Sequence, residues 1–551
     1  MIQDRAVTET VGCLGGGVMD ASEFPRLIAA LQRPEAYPHP VDRIEHIETH
    51  ISHVLLAGDF AYKLKKPLDL GFLDCSTLAL RRHCCEEETR LNSRLAPTIY
   101  LDVVAIGGEA AHPRIGAAGA VLEYAVRMRR FAQSALLAHR PLDGPLIDRL
   151  AERLADFHAA IPAAAPDAPW GAPDMVLAPM IENVEQIRAR VEAPALLRRL
   201  QRIEDWTRAR WRVLRPLLEQ RRAEGWIREC HGDMHRGNIA LIDGEPQIFD
   251  GIDFAPELRW IDTASELAFL VMDLEAAGEP GLAQRLLNGY LERGGDYGLL
   301  ALLRLYQCYR AMVRAKVGAI RAGQTGLAAP ERAAAWDACA RYLALAEGYT
   351  RARRPRLLIA CGLSGSGKSH MASALCERLP FVHLRSDVER KRLFGLEAQA
   401  RTNTGVDGGI YFPSATDWTY ERLLHLAETI LASGHDVLVD ATFTAHQRRV
   451  GFAALARRHH AGFAILALEA PLAVLRERVT RRLAAGNDAS EATLAVLERQ
   501  HARCEPPQGE ECDRLVRVDT SADPAIERVS EQLETVFAGQ AQSCDLAEPP
   551  H

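Results

Sequence analysis

The rhythm of apolar and polar positions changes several times along the chain. From about Val41 to Phe131 it has mostly the period of two that a half-buried strand produces, interrupted once by helical spacing. VLLAGDFAYKLK reads as two short strands around a Gly58-Asp59 turn, because these residues accept the backbone angles of a tight reversal. LALRRHCCEEETRLNSRL has the spacing of a helix, and VLEYAVRM alternates as a further strand. The expected product is a small sheet carrying one helix. From Pro145 to about Glu347 the pattern is mainly helical, broken by the loop AAAPDAPWGAP and by a strand pair in IALIDGEPQIFD around Asp243-Gly244. Residues 348–356, GYTRARRPR, are a basic, proline-containing connection. Beyond it RLLIAC, HDVLVD and FAILALEA are short apolar runs, each followed by a helical segment, which is the alternation of a parallel sheet with helical crossovers. The division this predicts is an extension over 1–40, a two-part segment over 41–347 with its joint near 131, a linker over 348–356, a parallel-sheet domain over 357–538 and a disordered tail over 539–551.

A chain of 551 residues can bury several cores, which excludes a lone binding module. Hydrophobic residues at 48% and charged residues at 25% are ordinary for a water-soluble protein, and no uncharged apolar run reaches the length of about 18 residues that a membrane helix needs. The first residues lack a basic start followed by an apolar stretch, and twelve cysteines without CxxC pairing suit a reducing compartment, so a cytoplasmic protein without disulfides is expected. A net charge of −7 gives no general attraction to nucleic acid, which leaves nucleic acid a secondary hypothesis. Among the 66 basic residues only Lys63, Lys65, Lys66, Lys316, Lys368 and Lys391 are lysines. A compact ammonium on a flexible stem suits a nucleotide phosphate where a guanidinium is too large, so each of these positions is a candidate.

Gly362-Leu-Ser-Gly365-Ser366-Gly367-Lys368-Ser369 fits GxxxxGK[ST] and lies between an apolar strand and a helix, the context that pattern requires. Its glycines let backbone N–H groups turn inward on phosphate oxygens at a helix N-terminus, Lys368 reaches the terminal phosphates, and Ser369 offers a hydroxyl to Mg²⁺. Asp387 follows the short strand in VHLR and Asp440 ends DVLVD. Such strand-end acids bind Mg²⁺ or take a proton from an acceptor hydroxyl, although either one alone also reads as a helix cap or a solvated group. In RERVTRR, Arg478 and Arg482 stand four apart on one helical face, either solvated or closing over a transferred phosphoryl group. GLSGSGKS, the RSD around Asp387, VDATFTAHQRR and RERVTRR resemble the P-loop kinases that phosphorylate hydroxyls, the polynucleotide kinase and zeta-toxin-like group, over about residues 356–535. That resemblance implies that Asp387 acts on the acceptor hydroxyl and that Arg478 and Arg482 stabilise the transferred phosphate. The acceptor-side segment 396–421 has one arginine, four acids and the aromatics Tyr411, Phe412, Trp418 and Tyr420. It lacks the basic, aromatic track of a polynucleotide channel, so a small acceptor is favoured, with those aromatics either lining its pocket or belonging to the core.

His231-Gly-Asp233-Met-His235-Arg-Gly-Asn238 stands directly before the second strand pair, which would fold Asp250 back beside Asn238. Asp233 can then orient an attacking hydroxyl while Asn238 and Asp250 hold Mg²⁺ on nucleotide phosphates. The close spacing of His231, Asp233 and His235 also admits a zinc reading, which leaves Asn238 and Asp250 unexplained. Upstream, Lys63 on a strand and Glu88 on the next helix are able to form the pair that positions α and β phosphates; Lys65 shares the face of Lys63, and Lys66 turns away. HGDMHRGN, FDGIDF and LADFHAAI in this lobe order resemble the aminoglycoside phosphotransferase and choline-kinase branch of the protein-kinase-like fold.

With the P-loop segment appended, the chain from about Ile44 to Leu533 resembles the bacterial bifunctional aminoglycoside phosphotransferase/ATP-binding protein family, a name that records a fold similarity more than an antibiotic substrate. The resemblance implies an α/β and α+β architecture, with a two-lobed protein-kinase-like domain followed by a P-loop NTPase parallel-sheet domain. It also implies Asp233 as catalytic base, His231 as loop scaffold, Asn238 and Asp250 as Mg²⁺ ligands, Lys63 with Glu88 as the phosphate pair and Asp262 as a structural aspartate. ATP or another nucleoside triphosphate, Mg²⁺ and small-molecule hydroxyl acceptors follow. The expected function is a bifunctional phosphotransferase; the alternatives are a regulatory nucleotide-binding role for one domain or a nucleic-acid end kinase in the P-loop domain. No GxGxxG stands in the first lobe. Two weaker groups are His83-Cys84-Cys85 with Cys75, read as a metal site or as unconnected cysteines pointing apart, and Arg310, Arg314 and Lys316, read as a solvated helix face or a seat for an anion.

Overall fold

The computed structural model describes residues 23–69, 73–398, 400, 410, 412–485, 490–522 and 524–545; Tyr411 and the tail beyond 545 lie outside the described residues. By their contacts the residues form two units, one of 1–141 with 229–260 and the other of 142–228 with 261–551. Among the described residues no helix is long and apolar enough to cross a membrane.

The first unit is built on six antiparallel strands, in spatial order Ile44–Glu48, Ser52–Ala57, Phe60–Lys65, Val121–Arg129, Tyr100–Glu109 and His112–Ile115. Ala57 pairs with Phe60, which leaves Gly58-Asp59 as the two-residue turn expected, with Gly58 at φ +57°. The buried Leu55, Tyr62 and Leu64 pack on Phe24, Leu27, Ile28 and Leu31, and Cys85 of the helix Leu78–Asn92 packs with Tyr100 and Val126. The helix Phe24–Ala30 thus belongs to this core although the sequence reading placed it in an extension. Its apolar residues recur at 24, 27, 28 and 31, the stripe of a surface helix, and too short a run to stand out alone. The strands Tyr100–Glu109 and His112–Ile115 were also not singled out, since Gly107 and Gly108 blur the alternation of the first. The hairpin of Ile239–Ile242 and Glu245–Ile248 turns at Asp243 and Gly244 with φ of +52° and +83°, positive at both central residues as a type I′ turn demands.

The second unit joins the helical segment to a five-stranded parallel sheet. The strands run, in spatial order, Phe381–Arg385, Asp436–Asp440, Arg356–Cys361, Gly462–Glu469 and Leu515–Asp519. The first of these is an edge, and the helix Pro280–Gly294 covers it with side-chain amides. Gln284 Nε2 and Asn288 Nδ2 donate to the carbonyl of Phe381 at 2.8 and 3.1 Å, and the N–H of His383 donates to Asn288 Oδ1 at 3.0 Å. Asn288 therefore satisfies backbone groups that an uncovered edge would leave unpaired. At the other end of the chain the helix Ile526–Asp545 continues through residues expected to be a tail from 539. Phe537 enters the core, and the Gln540 amide accepts from the N–H and donates to the carbonyl of Phe463, which fixes that turn of helix.

His435 precedes the strand Asp436–Asp440, and its Nε2 is shut off from solvent with no hydrogen-bond partner among the described residues. Burial, and then the charge of Arg304, push its pKa down to about 3. The unfolded chain therefore takes up a proton that the folded one refuses, and stability, complete above about pH 6.5, falls as pH drops toward about 3. The melting temperature is expected to decline between about pH 7 and about pH 5, and His435→Gln to flatten that decline. An unchanged slope in the variant would remove His435 from the account.

Candidate active sites

In the first unit the strand Phe60–Lys65 sets Lys63 and Lys65 on one face, two residues apart, toward the helix Leu78–Asn92. Lys63 Nζ lies 2.7 Å from Glu88 Oε1 and 2.9 Å from Asp250 Oδ1. Lys65 Nζ lies 2.6 Å from Glu88 Oε2 and also pairs with Asp253. Burial alone would raise the pKa of Glu88, but the two ammonium groups outweigh it and hold this carboxyl well below its usual range. Burial likewise works against the charge on Lys63, and Asp250 and Glu88 hold it well above the ordinary lysine value. Each charge here depends on the others, because a buried ion without a partner is strongly unfavourable. Lys66 turns to Glu48, at 2.6 Å.

The loop at 231–238 is held from below by His231. Its Nδ1 accepts from the N–H of Asp233 at 3.3 Å, and its Nε2 lies 2.9 Å from the carbonyl of Phe249. One tautomer serves both contacts, Nδ1 bare and Nε2 protonated. With both ring nitrogens so engaged, His231 has no atom for zinc. Asn238 Nδ2 donates to the carbonyl and to the carboxylate of Asp233, both at 3.0 Å, so Oδ1 is the atom Asn238 can offer a cation. The N–H of Phe249 reaches the carbonyl of Asn238 at 2.9 Å, and Asp250 follows at φ +59°. A non-glycine residue in that region persists only where its surroundings fix it. Here the N–H of Asp250 donates to Tyr100 Oη at 3.2 Å and that of Gly251 to Asn92 Oδ1 at 2.7 Å. Neither Tyr100 nor Asn92 was singled out from the sequence, since nothing local marks a residue that acts 150 positions away.

The other groups resolve as follows. Cys75 and Cys84 bring their sulfurs to 2.9 Å, while Cys85 turns to the carbonyl of Tyr124, so this is a thiol pair and not a cluster with His83. Asp262 accepts from Arg221 at 2.7 and 2.9 Å and from the N–H of Ala264 at 2.8 Å, a buried structural role. The solvated reading fails for Arg310, which is 5% exposed, lies over the Phe269 ring at 4.9 Å and donates to the carbonyl of Ser265.

In the second unit the glycine loop leads from the strand Arg356–Cys361 into the helix Lys368–Cys376. Gly362, Gly365 and Gly367 have φ of +154°, +85° and +81°. A Cβ at Gly362 would come within 2.6 Å of Ser366 Oγ, and one at Gly365 within 2.9 Å of the carbonyl of Leu475, whereas a Cβ at Gly367 would meet nothing within 4 Å. The loop is thus packed behind and open in front. Lys368 Nζ donates to the carbonyls of Gly362 and Leu363 at 2.8 and 2.9 Å. Ser369 Oγ donates to Asp440 Oδ2 at 2.6 Å, and His383 Nε2 stands 3.6 Å from the same oxygen. Burial tends to raise the pKa of Asp440, but His383, Lys368 and Ser369 bring it to about 2, so the carboxylate is charged.

In front of the loop is a cavity of about 880 Å³, lined by Gly365, Gly367, Lys368, Ser369, Asp387 and Asp440, with Arg478 and Arg482 from the helix Leu472–Ala485. Arg478 is tied to the carbonyl of Thr520 and Arg482 to that of Ala492. Arg390, Arg448, Arg499 and Arg503 also face this cavity, and Gln500 accepts from the N–H of Ser364 at 2.9 Å. These come from helices outside segment 396–421, so the low basic content of that segment did not describe the cavity. Of the segment's aromatics, Tyr420 lines the cavity and is 7% exposed, while Phe412 and Trp418 contact each other edge to face at 5.6 Å.

The sequence profile of a phosphotransferase enzyme family matches residues 85–303, and that of an AAA domain matches residues 357–507. An uncharacterized protein of Mycobacterium tuberculosis is 32% identical over 475 residues, covering 84% of this chain and 92% of its own length. Among solved structures, a choline/ethanolamine kinase family protein from Mesorhizobium loti is similar at 13% identity, covering 60% of this chain and 100% of that one, with a TM-score of 0.34. The APS kinase of Mycobacterium tuberculosis in complex with AMPPNP and APS is similar at 24% identity, covering 34% of this chain and 98% of that one, with a TM-score of 0.25.

Proposed function

Because this chain belongs to the same family as the mycobacterial protein, one that pairs a kinase-like phosphotransferase domain with a P-loop domain, we propose that it is a bifunctional phosphotransferase. In this reading both domains, 41–347 and 357–538, move the γ-phosphoryl group of ATP or another nucleoside triphosphate to hydroxyl groups of small molecules. The observation that carries it is the meeting of Lys63, Glu88 and Asp250, at 2.7 and 2.9 Å, in one unit with the Asp233–Asn238 pair.

In the first domain Asp233 accepts the proton of the acceptor hydroxyl as its oxygen attacks, and Asn238 keeps that carboxylate aimed. Lys63, held by Glu88, binds the α and β phosphates. In the second, the loop amides and Lys368 cradle the phosphates, Asp387 takes the proton, and Arg478 and Arg482 meet the transferring group. Both donor sets, Asn238 with Asp250 and Ser369 with Asp440, are hard oxygen ligands that fit Mg²⁺. When bound, the ion neutralises charge on the phosphate oxygens.

The test is phosphorylation of a small-metabolite extract with γ-labelled ATP by the full chain, by Asp233→Asn and by Asp387→Asn. Two sets of labelled products are expected, one missing from each variant. A single set, lost in one variant and intact in the other, would leave one domain as a nucleotide-binding module only.

A further inference from the structure

Beside the lysine and glutamate cluster of the first unit stand two thiols that phosphoryl transfer does not use. Cys84 lies in the second turn of the helix Leu78–Asn92, four residues ahead of Glu88 and therefore on the same face. Cys75 lies in the loop that leads into this helix. The N–H of Cys75 donates to the carbonyl of Leu68 at 2.8 Å, and Arg81 Nη1 donates to the carbonyls of Cys75 and Ser76 at 3.1 and 2.9 Å. Thr77 Oγ1 caps the helix by accepting from the N–H of Leu80 at 3.3 Å. With loop and helix so held, the two sulfurs meet at 2.9 Å. A disulfide needs about 2.05 Å, which rotation of the two side chains supplies.

The thiols differ, and the difference assigns their roles. Cys84 is half-buried and open to a small solute, whereas Cys75 is buried. Cys75 donates its S–H to Cys84 Sγ. That hydrogen bond, opposed by burial and helped by the ammonium of Lys65, draws the Cys84 thiol below its ordinary pKa, and the same bond together with burial pushes Cys75 up. Cys84 is therefore the nucleophile, and Cys75 keeps its proton until the Cys84 sulfur is oxidised and no longer holds it. Cys85, next in the chain, turns to the carbonyl of Tyr124 at 3.9 Å and takes no part.

We propose that Cys75 and Cys84 are a peroxide-reactive dithiol that closes to a reversible disulfide, a clasp between the entry loop and the helix that presents Glu88. The Cys84 thiolate attacks one oxygen of hydrogen peroxide, the O–O bond breaks, and Cys84 becomes a sulfenic acid while the departing hydroxide takes a proton from solvent. The Cys75 sulfur then attacks the Cys84 sulfur. The S–S bond forms, the S–O bond breaks, and the hydroxide leaves as water with the proton of Cys75. Two thiols lose two electrons and the peroxide gains them, and a dithiol reductant reverses the closure by exchange. In a reducing compartment the pair stays open until such an oxidant arrives.

The test uses the full chain, reduced and then freed of reductant. Hydrogen peroxide is added, the remaining thiols are blocked, and trypsin is applied, which cuts after Arg81 and Arg82 between the two cysteines. A linked pair of peptides joining Cys75 to Cys84 is expected, absent after dithiothreitol, and formed about tenfold or more faster than the exposed Cys512 is oxidised. In Cys75→Ser the reaction should stop at a sulfenic acid that dimedone labels on Cys84, and in Cys84→Ser the thiol of Cys75 should stay unlabelled. Rapid labelling of Cys75 in Cys84→Ser would overturn the assignment of roles. Oxidation of Cys504 and Cys512 that leaves both thiols of the pair free would overturn the site itself. The oxidised wild type is expected to melt a few degrees higher than the reduced one, because the cross-link restricts the unfolded chain, with no such shift in Cys84→Ser. A linked chain that melts no higher would overturn the clasp.

Discussion

Asp233→Asn is expected to slow phosphoryl transfer at the first site by about a hundredfold or more while changing nucleotide affinity by less than about threefold. The substitution keeps the size of the side chain and an oxygen for the amide of Asn238, which stands 3.0 Å from Asp233 Oδ2, so the loop keeps its shape. What is lost is the ability to take a proton. Asp250→Ala acts on a different part of the site. It removes one of the two carboxylates on Lys63 and a hard oxygen donor, while Glu88 at 2.7 Å keeps the ammonium in place. Mg-nucleotide binding should therefore weaken in Asp250→Ala and not in Asp233→Asn. Turnover and calorimetric Kd measured on both variants separate the roles, and equal loss of nucleotide in the two would show that Asp233 holds phosphate after all.

What was legible in the sequence was whatever is encoded within a few residues. Gly362 to Ser369 specify their own loop, because positive φ and close packing at Gly362 and Gly365 exclude a side chain there. The turn at Asp243-Gly244 likewise fixes its own hairpin and so the place of Asp250 beside Asn238. The partners that complete each site are set by packing and were not legible. Asp253 reaches Lys65 across 188 positions and Tyr100 reaches Asp250 across 150, pairings that no local pattern announces. Arg448 reads as one more arginine in an arginine-rich chain until Tyr420 and Asp417 are seen to hold it. The docking of Asn288 on the edge strand that leads to Asp387 belongs to the same class, since a helical asparagine has no signature of the strand it will serve.

Lys368→Ala should leave the chain with one nucleotide where the wild type binds two. Lys368 donates to two loop carbonyls and stands among Asp440 and Asp387, whose charges offset part of the burial that lowers its pKa. Removing it takes away the loop's own cation and leaves Asp440, already ionised beside Ser369, facing the phosphates with less to balance it. Affinity at this site is expected to fall about a hundredfold or more, out of reach of a titration in the micromolar range. The first site should not change, because Lys63, Glu88 and Asp250 lie in the other unit and share no residue with the glycine loop. Calorimetry with Mg·AMP-PNP on wild type, Lys368→Ala and Lys63→Ala decides the matter. Complementary loss, one site in each variant, identifies two independent cradles. If Lys368→Ala abolished both, the cradles would not be independent; a wild type that binds a single nucleotide would reduce one of the two domains to something other than a kinase.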